Sequence, residues 1–259
     1  MANEVLFETD GQVAVITMNR PEVHNAVNPA LGQGLRDAFR KFRDDRELRA
    51  AVLTGEGEKA FTAGADLKTM ATRSSGDFAD SFWWPPGDTG YVEVFKPVIA
   101  AVNGFCYAEG LNLLCGLTDI RVASDTATFC YAEILRGFSG TGHAIQYLPR
   151  QVAHATAMEW LLTGKVFDAQ EALRTGLVNE VVPLANVKKR AIEMAHEVSK
   201  LAPIAVRALK EAIIRGISID LPNAIRFANT IGVLTRYTED AQEGPRAFAE
   251  KRPPVYTGR

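Results

Sequence analysis

The sequence predicts an α/β fold with a helical C-terminal region, and three features carry that expectation. Short β-branched and apolar runs closed by turn residues alternate with stretches of helical period through about residue 183. From Asn186 onward the helical period continues almost without a break, and no strand signal returns. The composition, 47% hydrophobic and 23% charged over 259 residues, is that of a chain able to bury a sizeable core. With no internal repeat or low-complexity linker, the expected division is a strand-and-helix unit over 1–183 and a helical region over 184–259.

The elements follow in order. Residues 13–18 form a buried strand closed by Asn19-Arg20-Pro21. Asn28 caps the next helix and Pro29 suits its first position, after which Leu31, Leu35, Ala38, Phe39 and Phe42 recur at helical spacing. Residues 50–54 are a strand with Gly55-Glu56-Gly57-Glu58 as its turn, and residues 61–63 a short strand running into Gly64-Ala65-Asp66. Asp66 can start a brief helix through Met70. Residues 73–90, which include Phe82, Trp83 and Trp84, mix turn formers with aromatics and read as a loop or short helix near a ligand mouth. Residues 98–102 are a strand, Asn103-Gly104 a turn, and residues 108–117 a mostly apolar helix. Two strands at 120–123 and 128–131 precede the glycine-bearing stretch 136–142. Asp168-Ala169-Gln170-Glu171 reads as a capping box, Gly176 as the end of its helix, and 178–182 as the last strand. Helices are expected near 186–201, 203–215, 221–237 and 240–250.

Charge and motif content exclude several classes. The formal net charge of -2 arises from 29 basic and 31 acidic residues scattered through the chain, without the basic stripe that nucleic acid requires. No apolar run reaches bilayer length, and Met1-Ala2-Asn3-Glu4 does not resemble a secretory start, so a cytoplasmic protein without membrane contact is expected. Cys106, Cys115 and Cys130 lack C-x-x-C spacing and form no ligand pair with His24, His143, His154 or His196, so neither a disulfide framework nor a metal site is expected. Dinucleotide and nucleotide fingerprints are absent, and Gly137-Phe138-Ser139-Gly140-Thr141 misses the serine elbow because its last glycine is displaced.

The chemistry is sought instead at two similar junctions. Phe61-Thr62-Ala63-Gly64-Ala65-Asp66, and Val102-Asn103-Gly104 leading to Ala108-Glu109-Gly110, both bring small residues to a strand-to-helix transition. Such transitions present backbone N–H groups that a ligand oxygen can approach closely. If Ala65 and Glu109 aim their amides at one thioester carbonyl they form an oxyanion hole, in which each donor is worth about 3 kcal/mol of transition-state stabilisation.

Several ordered blocks resemble the enoyl-CoA hydratases and isomerases of the crotonase superfamily. They are Ala63-Gly64-Ala65-Asp66-Leu67, Lys96-Pro97-Val98-Ile99-Ala100-Ala101-Val102-Asn103-Gly104, and Leu162-Thr163-Gly164 through Val182-Pro183. Asn19-Arg20-Pro21 to Asn25-Ala26, and the ending with Glu243-Gly244-Pro245-Arg246 and Lys251-Arg252-Pro253-Pro254, extend the likeness over nearly the whole chain. The resemblance implies a crotonase-like spiral of ββα units with a C-terminal helical trimerisation region, assembled as a homotrimer or dimer of trimers. It also implies an acyl-CoA thioester as ligand, with coenzyme A present only as part of the substrate and no separate cofactor.

Carried over by position, the resemblance puts the oxyanion hole on the N–H groups of Ala65 and Glu109 and the proton-moving carboxylate on Glu133. It puts Ala63, Asp66, Leu67 and Gly110 around the thioester, Tyr107 and His143 near the acyl group, and Arg20, His24, Lys68 and Lys251 within reach of the coenzyme A phosphates. Two positions depart from the pattern: Asn112 stands where hydratases have a second glutamate, and Glu109 where the family commonly has glycine. Three schemes follow: Glu133 alone hydrates a 2-enoyl thioester; Glu133 shuttles a proton between C2 and C4 as an isomerase; or the Glu109 side chain replaces the missing carboxylate. A paralogue that binds the thioester without turnover is the rival outside catalysis. On chemistry alone, Asn112 is expected to make local helix hydrogen bonds and Glu109 to meet solvent or a salt bridge.

Overall fold

The computed structural model describes residues 4–68, 92–140 and 142–259. The expected aromatic segment 73–90 and the helix expected beyond Lys68 therefore lie outside the described residues. The strands are β1 (Val5–Asp10), β2 (Val13–Met18), β3 (Ala50–Gly55), β4 (Ala60–Thr62), β5 (Val98–Val102), β6 (Phe105–Tyr107), β7 (Ile120–Ser124), β8 (Thr128–Cys130), β9 (Phe167–Asp168) and β10 (Glu180–Val182). The helices are α1 (Pro29–Asp44), α2 (Glu109–Leu117), α3 (His143–Gln151), α4 (His154–Thr163), α5 (Ala169–Arg174), α6 (Val187–Ser199), α7 (Pro203–Gly216), α8 (Leu221–Thr235) and α9 (Glu239–Ala249).

The larger sheet has the order β1-β2-β3-β5-β7-β10, and the smaller one β4-β6-β8-β9. Strands β2, β3, β5 and β7 run parallel, as do β4, β6 and β8. Successive strand pairs therefore give one strand to each sheet and step sideways together, which is the ββα spiral. Every residue of β2, β3 and β5 is buried, as parallel strands covered on both faces require. One face packs on the α1 side chains Leu31, Leu35, Phe39 and Phe42. The other receives Val187, Ala191 and Ala195 of α6 against Val13, Val52, Ile99 and Val122.

Local signals explain most boundaries. Asn28 Oδ1 accepts the Leu31 N–H at 2.8 Å, and the five periodic apolar residues of α1 are its buried ones. Asp168 Oδ1 likewise accepts the Glu171 N–H at 2.8 Å. The reciprocal arm of that capping box is diverted, because the Glu171 carboxylate takes the Trp160 indole N–H at 3.1 Å and Lys165 Nζ at 3.2 Å. Strand β6 occupies the three residues between the expected Asn103-Gly104 turn and α2, which had no sequence expectation; three residues are too few to show a period, and pairing with β4 and β8 is what extends them. Strand β1 was not expected either, since its outer half, Glu8-Thr9-Asp10, is exposed and polar and is held by antiparallel pairing with β2. Helices α3 and α4 had no sequence expectation, and Pro149 inside α3 argues locally against a helix. Among the described residues no helix is long and apolar enough to cross a membrane, and no cluster of three or more potential metal ligands occurs.

Candidate active site

The parallel strands β4, β6 and β8 deliver their carboxyl ends to the same side, where open α/β sheets bind ligands. Directly beyond those ends lie Ala63-Gly64-Ala65, Ala108-Glu109 and Tyr131-Ala132-Glu133. The first two junctions touch. Gly64 has φ +99°, and a Cβ there would stand 2.6 Å from Ala108 Cβ and 3.4 Å from the Glu109 nitrogen. Glycine is thus needed both for its conformation and for the close approach. Gly110 presses the start of α2 onto the same strands, because a Cβ there would stand 3.1 Å from Thr62 Cγ2 and 3.2 Å from Cys106 Sγ.

The two amides are aimed by backbone pairing. Val27 N–H donates to Gly64 O at 2.8 Å and Asp66 N–H to Val27 O at 2.9 Å, forming a parallel bridge opposite Ala65. In such a bridge the intervening residue points its own N–H the other way, so the Ala65 amide faces away from Val27. Ala108 has φ 51°, a left-handed value unusual for alanine, and its N–H donates to Cys130 O at 2.8 Å. That turn starts α2 at Glu109, whose amide is the first of the helix.

Glu133 follows β8 and is 6% exposed, and its Oε2 has no hydrogen-bond partner among the described residues. Burial pushes its carboxyl up to about 7; its own backbone amide pulls it down and the negative charge of Glu109 pushes it further up. Burial, then the charges of Glu133 and Glu109, likewise raise the neighbouring Tyr131 hydroxyl, which donates to Ser139 O at 2.8 Å. Gly140, at φ +72°, closes this wall: a Cβ would come within 2.9 Å of Glu133 Cγ. A buried carboxyl poised near neutrality can both take and return a proton.

Asn112 is 1% exposed and uses both ends of its amide. Its Oδ1 accepts the Ala144 N–H at 2.9 Å, and its Nδ2 donates to Glu109 Oε2 at 2.9 Å. The local hydrogen bonding expected of Asn112 is found, and one of its partners is the carboxylate of Glu109.

Other sequence candidates are dispersed. Arg20 pairs with Asp66 at 3.1 Å and Glu4 at 3.5 Å and donates to Ala26 O, so its guanidinium ties the amino-terminal strand to the junction loop. Tyr107 hydrogen-bonds Thr128 Oγ1 at 3.0 Å and lies beside Phe105, against which the exposed His24 stands edge-on at 6.0 Å. His143 packs on Gly116 and stacks on Tyr147 at 5.5 Å, lining a cavity at the far end of α2 with Asp119 and Lys210. Burial lowers its pKa. Ala63 donates its N–H to His24 O at 2.9 Å, Leu67 and Lys68 are exposed, and Lys251 lies exposed just past α9.

Sequence reasoning missed Asn25, fully buried at φ 55°. Its Nδ2 donates to Ala60 O at 2.8 Å, and its carbonyl accepts from Thr62 Oγ1 at 2.7 Å. It thereby fixes the loop whose Val27 aligns Ala65; an asparagine in a turn is the only local signal of that role.

Known proteins share this arrangement of chain. A family model described as enoyl-CoA hydratase/isomerase matches residues 8–259. The carnitinyl-CoA dehydratase of Citrobacter koseri is 39% identical over a 267-residue alignment that covers 100% of both chains, and that of Salmonella typhi is 38% identical with the same coverage. Among solved structures, an enoyl-CoA hydratase from Bacillus anthracis superposes with a TM-score of 0.92 at 34% identity, covering 99% of this chain and 100% of that one. One from Mycobacterium tuberculosis gives 0.90 at 35% identity, again covering 99% and 100%.

Proposed function

The chain belongs to the enoyl-CoA hydratase/isomerase family, and from that premise we propose that it is a hydro-lyase, adding water to or removing it from the acyl group of a coenzyme A thioester. The observation that carries this reading is Glu133, a buried carboxyl with one unpartnered oxygen at the carboxyl ends of the parallel strands. The relatives named as dehydratases and hydratases support the same reaction type.

The thioester carbonyl lies between the Ala65 and Glu109 N–H groups. Electron density moves onto that oxygen as water's oxygen bonds to C3, and two fixed donors stabilise the enolate without reorganising. Glu133 exchanges the proton at C2 as water adds at C3; dehydration runs the same steps backwards. The reaction needs no redox step, so coenzyme A as part of the substrate suffices. The isomerase is the second reading, and the observation behind it is Asn112: its amide is committed at both ends and has no carboxylate to offer a water.

The C-terminal helices supply the assembly surface. Leu209 and Ile213 of α7 and Leu221, Ile225 and Leu234 of α8 are all more than half exposed, an apolar face that a homotrimer would cover.

The test is to incubate the protein with 2-enoyl-, 3-enoyl- and 3-hydroxyacyl-CoA thioesters and read product mass and double-bond position. Gain or loss of one water is expected. Glu133→Gln is expected to cut turnover by about 10²–10⁴-fold while still binding the thioester in calorimetry. A double-bond shift without mass change would replace this reading by the isomerase, and binding without turnover by the wild type would leave a binding protein.

A further inference from the structure

Hydration makes and breaks bonds to hydrogen at two places: the water loses a proton beside C3 while C2 gains one. A single carboxylate must do these jobs in sequence, whereas two carboxylates on opposite sides of the water can divide them. Glu133 is one such group. Glu109, at the start of α2, is a second carboxylate beside the same strand ends, and it is tethered by Asn112.

Glu109 and Asn112 are three residues apart on α2 and so share a face of the helix. The orientation of the Asn112 amide is decided by its partners. Its oxygen must meet the Ala144 N–H, a donor that only an acceptor can satisfy, and this turns the NH₂ group towards Glu109 Oε2. A carboxylate at residue 112 would repel the one at 109; an amide there donates to it. The first turn of α2 favours the same anion, because the amino end of a helix carries partial positive charge. Geometry ties Glu109 to the site: its nitrogen lies against Gly64, and it follows β6, the strand paired with β8 beyond whose end Glu133 stands; its negative charge adds to the upward shift of the Glu133 and Tyr131 groups.

We propose that the Glu109 carboxylate, held by the Asn112 amide, is the second catalytic group of this site and takes the proton from the attacking water. The proposal rests on the hydro-lyase reading and assigns a division of labour within it. In the hydration direction, ionised Glu109 accepts one proton as the water oxygen bonds to C3. The C2–C3 π pair moves towards the thioester oxygen, which the Ala65 and Glu109 amides hold. Protonated Glu133 then delivers its proton to C2 as the enolate collapses. Product leaves with Glu109 protonated and Glu133 ionised, and exchange with solvent water resets both. Glu109 thus serves twice, by its N–H on the thioester oxygen and by its side chain on water, while Asn112 is a positioning residue.

The experiment uses Glu109→Gln, which keeps the backbone amide, with two readouts on the full-length protein. One is hydration of a 2-enoyl-CoA; the other is exchange of C2 hydrogen for deuterium in a saturated acyl-CoA, which needs the two amides and Glu133 but no attacking water. Hydration kcat is expected to fall about 10²–10³-fold with KM nearly unchanged, and C2 exchange to persist. Moving the carboxylate along the same helix face in Glu109→Gly with Asn112→Glu is expected to restore hydration above that of Glu109→Gly alone, a gain that misfolding cannot mimic. Near wild-type hydration by Glu109→Gln, with Glu133→Gln inactive, would overturn the proposal and leave the hydro-lyase standing. A wild-type protein that hydrates nothing in the panel would overturn both.

Discussion

At Glu133 the burial that makes the carboxyl useful also strains the fold. Its pKa rises from 4.5 to about 7, so the folded protein binds this proton more tightly than the unfolded chain. The stabilising contribution is therefore fully present below the unfolded value and is lost as pH rises through about 7. Glu133→Gln, which cannot ionise, should be more stable than wild type at about pH 8 by roughly 3 kcal/mol, with the gap closing below about pH 4.5. Paired thermal melts at the two pH values measure this, and equal melting temperatures at the higher one would refute it. Glu133 itself was legible in the sequence through the blocks around it. Its burial and its unpartnered oxygen were not, because they come from Gly140 and from Tyr131, whose hydroxyl is anchored to Ser139.

At the level of elements, the site depends on the contact between two strand-to-helix junctions. Gly64→Ala puts a methyl group 2.6 Å from Ala108 Cβ and forces a side chain onto a backbone at φ +99°. The strain should cost about 1–3 kcal/mol in denaturant unfolding. The junctions would separate and, on the proposed mechanism, the Ala65 and Glu109 amides would no longer meet at one thioester oxygen, so kcat should fall further than KM rises. Kinetics and unfolding on one preparation test both parts, and unaltered kcat in a destabilised variant would remove the amides from the mechanism. Element α1 was fully readable, since Asn28, Pro29 and five apolar residues are local signals at helical spacing. Strand β6 was not, although it places one of the two amides, because three residues become a strand only between β4 and β8.

Over the whole molecule, α6 closes the outer face of the larger sheet, while α7 and α8 pack together and leave apolar side chains outward. If that face joins copies of the chain, Ile213→Glu with Ile225→Glu should lower the mass seen by light scattering from that of a trimer or hexamer towards the 28.2 kDa of one chain. A monomeric wild type at working concentration would refute the assembly. By itself the sequence determined the alternation of strands and helices, the C-terminal helical run and the two small-residue junctions, because period, caps and turns are written in neighbouring residues. Only the tertiary structure decided that Arg20 is spent on Asp66 and Glu4, that Glu133 is buried, and that Asn112 holds Glu109. Those outcomes depend on partners far apart in the chain, Arg20 with Asp66 and Asn112 with Ala144, and on water being excluded where the two sheets and α2 meet.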